Sequence, residues 1–150
     1  MRAVVQRVSE AAVHIGGAEH ARIGPGALVL LGVAVGDTHA DLEWLCGKIA
    51  RLRIFPDVAG VMNLDLTQVD GELLLVSQFT LHASTVKGNR PSYLRAARPV
   101  DAIPLYRRAE QLLAELVGRP VRTGEFGADM QVSLVNDGPV TIIIDSELRE

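Results

Sequence analysis

From Arg2 to Val8 the side chains alternate, with Val4, Gln6 and Val8 against Ala3, Val5 and Arg7, which is the period of a β-strand. Ala11–Ile15 and Glu19–Ile23 flank Gly16-Gly17 and read as a hairpin. After the Gly24-Pro25-Gly26 turn, Ala27–Val35 is apolar without a break, so this strand is expected to be covered on both faces. The period then changes. Leu42, Leu45, Ile49 and Leu52 form one stripe of a helix that Asp37 or Thr38 can cap, with Cys46 beside the stripe. A short strand, Arg53–Phe55, ends at Pro56-Asp57. Val61–Leu66 is weakly patterned, and Asp70-Gly71 turns the chain into a strand over Glu72–Leu81. Residues 82–99 form a long loop carrying Gly, Pro and Arg, and loops of that length usually have a job. A second helix over Asp101–Val117 places Ile103, Leu105, Leu112, Leu113 and Leu116 on its apolar side and stops at Gly118 and Pro120. Val121–Thr123, a turn region over Gly124–Asp129, and strands over Met130–Asn136 and Val140–Asp145 complete the chain. The pattern predicts one α/β domain over residues 1–150. It is dominated by sheet, with mixed and antiparallel strands forming a barrel-like core and about two main helices.

Two polar interruptions stand out. Ser77-Gln78-Phe79-Thr80-Leu81 closes an otherwise buried strand with a hydroxyl, an amide and a second hydroxyl. Buried polar groups are unfavourable unless they find partners. Asn136-Asp137-Gly138-Pro139-Val140-Thr141 breaks the C-terminal strand pattern with a proline, which cannot donate to a sheet ladder. Each marks a place where something other than packing decides the residue.

Composition narrows the class. At 48% hydrophobic, 150 residues are enough to build a core. The longest apolar run, Ala27–Val35, is about half the roughly 20 residues a membrane helix needs. The segment MRAVVQRVSE has no signal-peptide core, and Cys46 is the only cysteine, so a cytoplasmic protein without a disulfide framework or a membrane partner is expected. The net charge of −3 hides an asymmetry. Lys87, Arg90, Arg95, Arg98, Arg107 and Arg108, six of the fifteen basic residues, fall between Ser84 and Arg108 against Asp101 alone. Such a patch can follow a phosphate backbone or simply form a solvated helix face and loop.

Familiar catalytic machinery is missing. His14, His20, His39 and His82 show no helical metal-ligand spacing, the acidic residues are scattered, and there is no Walker A loop, GxGxxG or GxSxG. No metal site and no cofactor is expected. Either the chain is a binding module, or its chemistry asks little of side chains.

SQFTL and NDGPVT resemble the two signature motifs of the D-aminoacyl-tRNA deacylases, the chirality-proofreading enzymes of translation. MRAVVQRVSEA, KIARLRIF, GNRPS and FGADMQVSLVNDGPVT look like the same family in the same order, so the likeness spans essentially the whole chain. The resemblance implies that the substrate is the aminoacyl-tRNA 3′ end carrying a D-amino acid. Glycine misloaded on alanine tRNA would also be admitted. Thr80 and Phe79 would be the catalytic positions, with the backbone N–H groups around them holding the developing oxyanion. Thr80 is expected to orient rather than attack, with the ribose 2′-hydroxyl assisting water. Ser77, Gln78, Phe126 and Met130 would line the pocket. Gly138 and Pro139, joined by a cis bond and braced by Arg7, would form the chirality filter. Their carbonyls would receive the α-ammonium group and reject L side chains by sterics, and in a homodimer they would reach into the partner subunit's site. The family more often carries tyrosine at the position of His82, and Ala83-Ser84 and Asn89 are also atypical, all in the basic region. Three other readings remain open: a relaxed deacylase of mischarged L-alanyl-tRNA, which would be expected to alter Arg7; a non-catalytic nucleic-acid-binding module; and a hydrolase of free D-amino-acid esters.

Overall fold

A computed structural model describes residues 1–149. The two strand segments predicted at the start of the chain, Arg2–Val8 and Ala11–Ile15, form a single strand, β1 (Arg2–Ile15). Ser9 and Glu10 between them are exposed, and register shifts flank Val8. A bulge lets a strand bend while it stays paired, which is why two segments merge into one. β2 (Ala18–Ile23) pairs antiparallel with the second half of β1, from Ala11↔Ile23 to Ile15↔Ala18. β3 (Gly26–Gly32) pairs with the first half, from Arg2↔Gly32 to Val8↔Gly26. All of β3 except Leu30 is buried, as a strand covered on both faces requires.

α1 (His39–Ala50) starts at Thr38 rather than Asp37. The Thr38 hydroxyl accepts from the Asp41 amide while the Asp41 carboxylate accepts from the Thr38 amide, a reciprocal capping box. Leu42, Leu45, Cys46 and Ile49 are buried, and burial pushes the Cys46 thiol up to about 12, so it is packing rather than a reactive thiolate. The next short strand, β4 (Phe55–Pro56), sits further along than the predicted Arg53–Phe55 and pairs with β5 (Met62–Leu64).

β6 (Glu72–Ser77) runs parallel to β3, from Gly26↔Glu72 to Leu31↔Ser77. The predicted strand over Glu72–Leu81 therefore stops early. β3 ends at Gly32, the Gln78 amide makes a last bond to the Leu31 carbonyl at 2.8 Å, and Phe79–His82 then folds into a 3₁₀ turn. Without a partner strand the ladder has no acceptors to offer.

α2 (Pro99–Val117) begins two residues before the predicted Asp101, with proline in the first turn where its missing N–H costs nothing. Its buried stripe is Ala102, Tyr106, Ala109, Leu113 and Val117. Leu113 was expected there, whereas Leu116 is exposed and Leu105 and Leu112 are only half-buried. Small alanines let α2 approach, so the closest face is not the greasiest one. β7 (Arg122–Thr123) adds parallel to β6, and β8 (Met130–Asp145) is one strand, antiparallel to β1 on both sides of an interruption at Asp137–Val140, where two were predicted. The sheet curls until a Cβ on Gly124 would meet the Met130 sulfur at 2.5 Å, leaving a nearly closed barrel-like sheet. One buried cluster (Val8, Val13, Leu28, Leu74 and Val76 among others) fills its interior, and a larger one joins its outer face to α1 and α2.

Candidate functional site

β6 delivers Ser77 and the 3₁₀ turn delivers Phe79 to the mouth of a cavity of about 320 Å³. Ser77, Gln78, Phe79, Phe126 and Met130, five residues singled out in the sequence, line it together. Tyr106 of α2 lines it too; its hydroxyl donates to the Leu75 carbonyl at 2.8 Å and its ring meets Phe126 edge-on with centroids 5.8 Å apart. Burial pushes the Tyr106 phenol far above its usual range, so it stays neutral. The sequence reading missed Tyr106, although the spacing of Ala102, Tyr106, Ala109, Leu113 and Val117 is itself a helical stripe. That stripe is marked by small alanines rather than by the bulkiest apolar residues.

Thr80 follows Phe79 in the 3₁₀ turn and is not among the residues lining the cavity; its hydroxyl accepts from the Gln78 side-chain amide at 2.5 Å. With that lone pair occupied, the Thr80 hydroxyl hydrogen remains available to a ligand. No carboxylate or imidazole touches Thr80 among the described residues; Asp129 contributes a carboxylate at the exposed rim of the cavity. The first amides of a helical turn lack internal acceptors. Here the Leu81 amide reaches the Gln78 carbonyl at 3.3 Å, and the Phe79 and Thr80 amides ahead of it have no protein acceptor among the described residues. Two unengaged donors therefore sit at the end of β6, the arrangement an oxyanion needs.

The second interruption lies elsewhere. In β8 the residues between Asn136 (opposite Val8) and Thr141 (opposite Gln6) face Arg7 alone, so Asp137–Val140 is thrown out of the ladder as a turn. Asn136 closes its base, accepting from the Val140 amide at 2.7 Å and donating to the Val140 carbonyl and the Thr141 hydroxyl, each at 3.2 Å. Arg7 clamps it from β1: its Nε donates to the Asp137 carbonyl at 2.7 Å, and Nη1 donates to the Ile54 carbonyl at 2.6 Å. The Gly138-Pro139 bond is cis, and both residues are exposed. Arg7, Gly138 and Pro139 do not line the cavity. One chain thus carries the cavity and the Gly-Pro turn as separate features.

His82 ends the 3₁₀ turn and is buried at 5% exposure, against Gly32 at the end of β3. Its Nε2 has no hydrogen-bond partner among the described residues. Burial lowers its pKa; the Gly32 carbonyl opposes this, the Met1 amino group and Arg2 reinforce it, and Asp37 opposes it. Above about pH 6.5 the imidazole is neutral folded or unfolded. Below that the unfolded chain takes up the proton first, so stability is lost as pH falls, with a slope of up to about 1.4 kcal/mol per pH unit from this one group. Urea unfolding at pH 7.5 and 5.5 is expected to show this loss. His82→Gln should flatten it, and an equal slope in both proteins would show that His82 is not its source.

The family model described as D-Tyr-tRNA(Tyr) deacylase matches residues 4–145. Proteins named D-aminoacyl-tRNA deacylase from Akkermansia muciniphila and Porphyromonas gingivalis are 60% and 57% identical over 150 residues, all of this chain and all of theirs. A solved structure described as c-Myc DNA Unwinding Element Binding Protein is 41% identical, with a TM-score of 0.92 over 97% of this chain and 98% of that one. Another, described as a probable eukaryotic D-amino acid tRNA deacylase, has a TM-score of 0.79 at 17% identity over 95% of this chain and 97% of that one, which shows a common fold. With the match running through both polar motifs and the strands that carry them, the chain belongs to the D-Tyr-tRNA(Tyr) deacylase family and is a hydrolase.

Proposed function

We propose that this chain cleaves the ester joining a D-amino acid to the terminal adenosine of tRNA, admits glycine misloaded on alanine tRNA, and spares L-aminoacyl esters. The observation that carries this reading is the pair of unengaged amides at Phe79 and Thr80 beside a cavity lined by Ser77, Gln78, Phe126 and Met130. The terminal aminoacyl-adenosine occupies the cavity with its ester carbonyl oxygen at these amides, and each well-placed donor is worth roughly 3–4 kcal/mol in the transition state. The ester is activated by its neighbouring ribose hydroxyl, so water attacks with help from that 2′-oxygen. Thr80, held by Gln78, donates its proton to orient the substrate and does not itself attack.

Handedness comes from a second copy. A homodimer brings the partner subunit's Gly138-Pro139 turn to this cavity. The turn is exposed and does not line the cavity of its own chain, and Val135 and Ile143 of β8 are 51% and 69% exposed, apolar surface that a partner would cover. With the α-ammonium group held by backbone carbonyls and the ester carbon by the amides, inversion at Cα drives an L side chain into the turn. The filter reads handedness and ignores side-chain identity. Arg7, whose presence speaks against the relaxed L-alanyl reading, holds that turn in place. No helix among the described residues is long and apolar enough to cross a membrane, which fits a cytoplasmic tRNA enzyme.

The test is hydrolysis of D-tyrosyl-tRNA and L-tyrosyl-tRNA against their spontaneous rates, together with the mass of the particle in solution. Rapid loss of the D ester alone, by a dimer, is the expected result; equal rates would remove the filter. Thr80→Ala is expected to lower kcat on the D ester roughly tenfold to hundredfold, the loss of one orienting hydrogen bond. A non-catalytic nucleic-acid-binding module, the reading that the DNA-binding description of the 41% identical relative would favour, would not hydrolyse the ester at all. A hydrolase of free D-amino-acid esters would show no salt dependence.

A further inference from the structure

A larger cavity, of about 940 Å³, adjoins the candidate site and shares Val33 and Ala97 with it. Its floor is a short ladder continuing from the end of β3. The Val35 amide donates to the Arg95 carbonyl at 3.0 Å, the Ala97 amide to the Val33 carbonyl at 2.9 Å, and Ala34 bridges Ala96. Small side chains on hydrogen-bonded backbone leave a flat recess of fixed shape. Tyr93 stands between the two cavities: its ring meets Phe79 of the first edge-on at 5.1 Å, and it lines the second while 41% exposed. Val35, Leu94 and Val100 on the same walls are 68%, 89% and 69% exposed. Apolar surface gathered in this way marks a binding surface.

The groove carries one guanidinium, Arg98, against the carboxylates of Asp37 and Asp101, both of which are already engaged. Asp37 is turned onto the Ala34 amide at 2.6 Å and the Met1 amino group. Asp101 is matched by Arg98 Nε at 3.6 Å, and the Arg98 side chain is 81% exposed. An exposed pair of this kind is weak, so the guanidinium can exchange the carboxylate for a phosphate, which it grips through two parallel bonds.

We propose that this groove holds the nucleotides preceding the terminal adenosine of the tRNA 3′ strand, one base against Tyr93 and a phosphate on Arg98. The proposal rests on the deacylase reading of the adjoining cavity. If the terminal adenosine fills that cavity, the rest of the strand leaves across the wall the two share. Unpaired nucleotides are bound by aromatic faces and cationic side chains, the two features this groove combines.

The experiment compares kcat/KM on D-tyrosyl-tRNA with kcat/KM on the same ester of adenosine alone, for the parent chain, Tyr93→Ala, Arg98→Ala and the remote surface control Arg22→Ala. The ratio of tRNA to adenosine ester is expected to fall about tenfold in each groove variant, the loss of one stacking or phosphate contact, and to hold in the control. Inhibition by the trinucleotide CpCpA relative to adenosine should weaken in parallel. A ratio and an inhibition unchanged in both groove variants overturn the groove assignment while leaving the deacylase reading intact. A shift of the dimer's mass with the ratio unchanged also overturns it and makes the groove a contact between copies. Failure of the parent chain on both esters overturns the two together.

Discussion

Gly138→Ala is expected to lower hydrolysis of D-tyrosyl-tRNA about hundredfold, the scale at which a displacement of about 1 Å removes a positioned contact. Gly138 has φ +146°, a conformation L residues rarely adopt, and a Cβ there would lie 2.9 Å from the Val140 amide nitrogen and 3.1 Å from Arg7 Nη2. The turn has to move. Arg7 is bound to the Asp137 carbonyl at one end and the Ile54 carbonyl at the other, so it cannot follow without releasing one of them. Arg7→Lys should give a similar loss, because a single ammonium cannot replace two directed guanidinium bonds. Gly138 and Pro139 lie outside both buried clusters, with only Val140 of the turn packed against the larger one, so the variants should still unfold cooperatively. If the turn is the wall against L side chains, the ratio of D to L hydrolysis should fall along with the D rate. Parent rates with a parent ratio would show that the turn takes no part in the site.

Gly26→Ala should produce the largest loss of stability, about 3 kcal/mol or more in urea unfolding. Gly26 opposes Glu72 in the first pair of the parallel β3–β6 ladder, and a Cβ on it would strike Glu72 backbone atoms, the amide nitrogen at 2.6 Å and the carbonyl carbon at 2.7 Å. Backbone cannot swing away as a side chain can. Relief would require β3 and β6 to separate where Leu28 and Leu74 are fully buried. The same exchange at Gly47 in α1 meets the mobile end of Arg51 at 2.8 Å, so it should be neutral or stabilising by up to about 1 kcal/mol through helix propensity. Equal effects at the two sites would count against the strand contact. Since β6 carries Ser77 to the cavity, loss of this pairing should remove activity together with the fold.

Much of this protein was legible before any coordinates, for identifiable reasons. Alternation and apolar runs report local burial, so β1, β3 and both helices could be read from their own residues. The two polar interruptions were legible because a strand has no packing reason to carry SQFT or a Gly-Pro step. Those segments also carry the resemblance that placed the chain among the deacylases.

What the sequence could not decide is non-local. β6 ends at Ser77 because β3 ends at Gly32, a fact about a partner strand far away in the chain. β8 runs as one strand through its proline because Asn136 closes the turn and Arg7 clamps it, so pairing with β1 resumes on the other side. α2 turns its alanines inward because the sheet and α1 set how near it must come, and so Tyr106 reaches the cavity unannounced. The division of the site was invisible as well: Thr80 and Gly138 read alike as motif residues, yet the Gly-Pro turn does not line the cavity of its own chain. Local patterns determined which residues form strands, helices and interruptions, because burial and backbone preference act residue by residue. Only the tertiary structure decided which of them meet, because that depends on where distant strands end and how the sheet curls.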